Sequence, residues 1–111
     1  NVEVFKEDAK VHGHNYILEV TVKGEVNPDT GFIVDLFHLK QLVQEDIIAV
    51  LDHSQIEKDI PWFMNKQPST ENIVVFIWES IAPKLQGAEL HRIRLRETPT
   101  ISTDYYGPDY C

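Results

Sequence analysis

Hydrophobic and polar positions alternate from Tyr16 to Lys23, with Tyr16, Leu18, Val20 and Val22 on one side and Ile17, Glu19, Thr21 and Lys23 on the other. A period of two in residues rich in β-formers predicts a half-buried strand. Gly24 ends the run, and Asn27-Pro28-Asp29-Thr30-Gly31 predicts a turn, because proline fixes φ and glycine accepts positive φ at little cost. Phe32-Ile33-Val34 then reads as a second strand, joined to the first through a connection too long for a tight two-residue hairpin.

The period changes after Asp35, which can cap a helix. Leu36, Leu39, Leu42, Val43, Ile47, Val50 and Leu51 recur every third or fourth residue and form a stripe that faces a sheet. From Asp52 to Thr70 no period holds: Pro61 and Pro68 interrupt helical pairing, and Trp62, Phe63 and Met64 stand outside any regular spacing. An irregular stretch of that length in a small domain usually serves a site or an interface. Ser69 or Thr70 can cap a second helix over Ile73–Leu85, with Glu71 in its positive first turn and Gly87 at its end. Alternation returns from His91 to Glu97, and Ile101 to Tyr106 supplies a last short strand. The order β-β-α-α-β-β predicts an α+β domain, with helices together on one side of an antiparallel sheet.

Length and charge narrow the picture. A chain of 111 residues is one domain, residues 1–111, with no repeat or low-complexity tract. Its net charge of −8 argues against nucleic acid or an anionic membrane as partner. With no apolar run of membrane-spanning length and no signal-like start, the expected location is the cytoplasm. The single cysteine, Cys111, excludes an intrachain disulfide framework. A domain of this size buries only about 60–70% of its extended surface, so association of subunits would help it.

Three places carry candidate chemistry. His12 and His14, two apart on a strand, face the same side and either share a metal ion, zinc being the ion expected, or are ordinary polar strand histidines. Asp52 and His53 follow the first helix as either a carboxylate-oriented proton carrier or a polar helix end. Glu97 shares the parity of Ile93 and Leu95, opposite Arg92, Arg94 and Arg96. It is either an acceptor for the amino-imino edge of a guanine-like or pterin ring or an exposed residue beyond the strand's end. The arginines read as a solvated edge or as partners for acids.

Together with Asn15-Tyr16, Thr30-Gly31, Leu39-Lys40 and Pro68-Ser69-Thr70-Glu71-Asn72, these residues resemble the 6-pyruvoyl-tetrahydropterin synthase and 6-carboxytetrahydropterin synthase family. The resemblance implies a tunnelling fold, a four-stranded antiparallel sheet with two helices on one face. It implies that three subunits close a barrel and that two trimers stack as a homohexamer. It implies zinc on His12 and His14, with a third histidine in a first strand that is expected to be missing from this chain. It further implies Asp52 and His53 as the proton-transfer pair, Glu97 as the pterin anchor and Thr70 in the same pocket. The family's cysteine base is absent; Asp8 stands at the corresponding position, with Glu7 beside it. The expected activity is zinc-dependent conversion of 7,8-dihydroneopterin triphosphate to 6-carboxy-5,6,7,8-tetrahydropterin, the branch that serves queuosine biosynthesis. The alternatives are the 6-pyruvoyl-tetrahydropterin synthase reaction and a noncatalytic pterin-binding protein.

Overall fold

Strand β2 (His14–Lys23) is the alternating run seen in the sequence, and it is buried from Leu18 to Val22 on both faces. A computed structural model describes residues 2–11, 14–52 and 56–108. Among them the sheet has four strands in the order β1-β2-β3-β4: β1 (Val2–Val11), β2, β3 (Glu89–Thr98) and β4 (Ile101–Tyr105). Every neighbouring pair is antiparallel.

The first strand is therefore present, which corrects the expectation that it would be missing. Its polarity hides it. Toward the core β1 presents Glu3, Phe5, Glu7, Ala9 and Val11, and of these only Ala9 and Val11 are fully buried. Phe32-Ile33-Val34 is not a strand, a second correction. Both edges of β2 are already taken, by β1 and β3. The turn at 27–31 closes on itself instead, with Gly31 N donating to Asn27 O at 2.8 Å and Asn27 N to Phe32 O at 2.9 Å. Gly31 sits there at φ 77°, where a side chain would be strained. Ile33 and Val34 are buried all the same, and Ile33 N donates to Glu3 Oε1 at 2.7 Å.

Asp35 caps the next helix by accepting from Phe37 N and His38 N. Helix α1 (Leu36–Leu42) runs through a π-helical segment (Val43–Ile48) into α2 (Ala49–Asp52), so residues 36–52 form one helical rod with a wider turn inside it. Short α3 (Ile56–Asp59) and a 3₁₀ turn at Pro61–Phe63 follow. Phe63 is buried and packs its ring against Trp62 and Phe76, which gives the irregular stretch its own apolar anchor. Ser69, rather than Thr70, caps α4 (Thr70–Ile81), accepting from Asn72 N at 3.3 Å.

The two helical runs cover one face of the sheet. Leu39, Val43, Ile47 and Leu51 from the first and Ile73, Val74, Ile77 and Ile81 from the second meet Leu18, Val20, Val22, Ile93 and Leu95 in a single core. On the opposite face Glu19 and Thr21 are buried although polar, because β3 lays its arginines over them. Glu19 forms an ion pair with each of two arginines, its Oε2 lying 3.0 Å from Arg96 Nη2 and its Oε1 3.5 Å from Arg92 Nη2. Among the described residues no helix is long and apolar enough to cross a membrane.

Candidate functional site

A cavity of about 690 Å³ opens where β1, β2 and β3 end together beside α2. Its walls follow from register. Asp8 pairs with Ile17, and Ile17 with Arg96, so these three form one row across the sheet. In the next row Ala9 pairs with Tyr16, whose side is shared by Glu97 beyond the last β2–β3 pair. The ladder between β3 and β4 shifts register between Arg96 and Thr98, freeing this corner of the sheet from regular pairing. Ile48 and Asp52, one helical turn apart, close the side facing the helices.

Asp8, Asp52 and Glu97, three of the carboxylates singled out in the sequence, thus line one space. Tyr16 stands among them. Burial pushes its phenol above the ordinary value, and the negative charge of Glu97 adds to the rise. The tyrosine therefore keeps its proton and remains a donor as well as an acceptor at neutral pH. Glu97 is exposed within the open cavity, on the Leu95 parity, as alternation predicts. Lys10 and Arg96 supply the cavity's cations.

Other expected residues fall elsewhere. Glu7 turns toward the helices, where its Oε2 accepts from Gln44 Nε2 at 3.4 Å, and it does not line the cavity. Thr70 accepts at Oγ1 from Thr103 Oγ1 at 3.2 Å, at the junction of α4 and β4, and is also outside the lining. His12, His53 and Cys111 lie outside the described residues. His14 is exposed at the start of β2.

The zinc expectation is corrected at this point. Among the described residues no three histidine, cysteine, aspartate or glutamate side chains come together in a group able to hold a metal ion. Two histidines at i and i+2 supply at most two donors, and among the described residues His14 belongs to no group of three such side chains. No step is assigned to a metal.

Alternation missed Lys10, Tyr16 and Arg96 as cavity residues. Their place depends on which strand lies beside which, and β1 had not been read as a strand. The signals in the sequence are that Tyr16 stands in the Asn15-Tyr16 motif and that Arg96 adjoins Glu97.

A four-stranded antiparallel sheet with two helical runs on one face is a tunnelling fold, here with an acidic cavity at one corner of the sheet. The family model described as 6-pyruvoyl tetrahydropterin synthase matches residues 2–108, and the chain belongs to that family. It is 41% identical to the 6-pyruvoyl tetrahydrobiopterin synthase of Poecilia reticulata over 86% of its own length and 65% of the relative's. It is 37% identical to the enzyme of that name from Drosophila melanogaster, over 97% of its own length and 66% of the relative's. The chain thus spans just under two thirds of these relatives. The structure of Caenorhabditis elegans 6-pyruvoyl tetrahydropterin synthase superposes with a TM-score of 0.75 at 23% identity, covering 96% of this chain and 92% of that one, and so shares the fold.

These names overturn the carboxy-forming expectation and, with it, the queuosine assignment. Most relatives carry the pyruvoyl name.

Proposed function

We propose that this chain performs the pyruvoyl-forming reaction on 7,8-dihydroneopterin triphosphate: triphosphate leaves, and the side-chain carbons stay on the ring. Electrons balance within the substrate: one hydroxyl carbon is oxidised as the ring's carbon–nitrogen double bond is reduced, and the other becomes a carbonyl as departure of triphosphate leaves the terminal carbon a methyl group. What the protein must add is binding, orientation and proton transfer.

The observation that carries the reading is the convergence of Glu97, Asp52 and Asp8 on one cavity in a chain of this family. Glu97 accepts two hydrogen bonds from the amino-imino edge of the pterin, a geometry that suits a carboxylate. Asp8, at the position of the absent cysteine, takes the carbon-bound proton. Asp52 orients His53, which carries a proton on the other side of the substrate. Tyr16, protonated, adds a donor beside the anchor.

Association into the trimer-based barrel belongs to the same proposal, as does a cytoplasmic setting. β1 and β4 are the outer strands of the sheet, and each offers an edge to another copy.

Incubating the full chain with 7,8-dihydroneopterin triphosphate and resolving products by mass spectrometry tests the reading. The expected product retains every side-chain carbon. A product shortened to a carboxyl group refutes the pyruvoyl assignment, and saturable pterin binding without turnover marks a binding protein, the reading favoured by the lack of a cysteine near Asp8.

A further inference from the structure

Three of the chain's ten basic residues stand in one five-residue alternation, Arg92, Arg94 and Arg96, although the chain as a whole carries −8. The structure treats the three differently. Arg94 is spent: it faces Asp104 directly across the ladder and makes two hydrogen bonds to it, so that pair is neutral. Arg92 and Arg96 share a single carboxylate, that of Glu19, which is only 4% exposed. Two guanidiniums on one carboxylate leave this cluster of three side chains with one unit of positive charge.

Of the two, Arg96 reaches the cavity and Arg92 does not. Its contact with Glu19 is made through Nη2, while its Nε is buried with no hydrogen-bond partner among the described residues. A guanidinium has five donors in a fixed fork, so most of this one remains available while Glu19 fixes its position. Lys10, two rows on from Asp8, Ile17 and Arg96 and on the same face of the sheet, adds a second cation to the cavity. Asp52 and Glu97 line the cavity on the helix side and would repel a polyanion there, while Asp8 shares the face of the two cations.

We infer that Arg96, with Lys10 on the same face of the sheet, forms an anion subsite of this cavity and receives the phosphate chain of the substrate. The assignment to a pterin triphosphate rests on the function proposed above; the subsite itself rests on the charge arrangement. Phosphate oxygens match the arginine fork bidentately, whereas a lysine offers only a point charge.

The test uses the full chain and two probes, inorganic tripolyphosphate and neopterin, titrated by calorimetry. Arg96→Gln is expected to weaken tripolyphosphate binding about tenfold to a hundredfold and neopterin binding less than twofold. Lys58→Gln, an exposed change of the same charge on α3, is expected to change tripolyphosphate affinity less than twofold. Equal weakening by both variants, or no weakening by Arg96→Gln, overturns the subsite. If Arg96→Gln does not fold, Arg96→Lys keeps the charge and removes the fork, with a several-fold loss expected and an unchanged affinity refuting the inference. The outcomes separate the two claims. Arg96-dependent tripolyphosphate binding without neopterin binding leaves the subsite standing and removes the pterin reading. Neopterin binding with tripolyphosphate indifferent to Arg96 does the reverse.

Discussion

Arg94 and Asp104 face each other across the β3–β4 ladder and join through two hydrogen bonds, Nε to Oδ1 at 2.6 Å and Nη2 to Oδ2 at 2.9 Å. The bond to Arg94 holds the Asp104 carboxyl below its ordinary value of 3.8, against the opposing effect of burial. A carboxylate lowered in the folded state stabilises above its unfolded pKa, and that contribution disappears as pH falls through the lower folded value. Urea midpoints measured from neutrality down through the acid range should therefore fall more steeply for the native chain than for Asp104→Asn. The variant should lose about 1 kcal/mol at neutral pH, since the pair is partly exposed and screened. A pH-independent difference between the two would show that the pair contributes no charge-linked stability.

Gly107 is buried against Trp78 at φ 101°. A β-carbon there would stand 2.7 Å from Trp78 Cζ2 and would need a backbone conformation that alanine rarely adopts. The ring cannot easily withdraw, because it packs edge-on against Tyr105 with centroids 5.5 Å apart. Gly107→Ala should cost about 2 kcal/mol or more and lower the thermal midpoint by several degrees. A melting curve that superposes on that of the native chain would contradict this packing.

Glu97→Gln separates charge from shape at the ring anchor. The amide still fills the space but offers one acceptor where the pterin edge needs two, so neopterin affinity should fall at least tenfold. The change also removes the negative charge that lifts the Tyr16 phenol, while burial, the larger cause, stays. One phenol in the ultraviolet pH titration should then ionise at lower pH than before, though still above the ordinary tyrosine value. An unmoved titration would mean that Glu97 and Tyr16 do not share the cavity.

How far the sequence could be read depended on how many neighbours a feature needs. The Asp35 cap, the stripe from Leu39 to Leu51 and the alternation of β2 and β3 are local, and each appears in the structure where its period placed it. β1 failed because its core-facing positions include Glu3 and Glu7 while Val2 and Val4 point away, so burial and hydrophobicity disagree along it. Phe32-Ile33-Val34 failed for the opposite reason: Ile33 and Val34 are buried like a strand's, but no free edge was left to pair with them. The same logic holds in the cavity. Glu97 was legible from parity on its own strand, whereas Arg96 became visible only once Ile17 was known to lie between it and Asp8.

Asp8 gives the sharpest test of the proposed chemistry. It lies on the face of β1 away from the helices, is exposed, and reaches the cavity from the strand opposite Ile17. Its neighbour Glu7 has the opposite parity and is tied to Gln44, so the two carboxylates cannot exchange roles without turning the strand over. If Asp8 removes the carbon-bound proton, Asp8→Asn should lower kcat by about a hundredfold or more while neopterin affinity changes little, because the amide keeps the shape and loses only the base. Glu7→Gln should leave kcat within about twofold, since it disturbs only an exposed hydrogen bond. Steady-state kinetics on both variants, with neopterin titrations alongside, checks the pair. If the Glu7 variant shows the loss and the Asp8 variant does not, the base is reached from the helix side of the sheet and the cavity has been assigned to the wrong face.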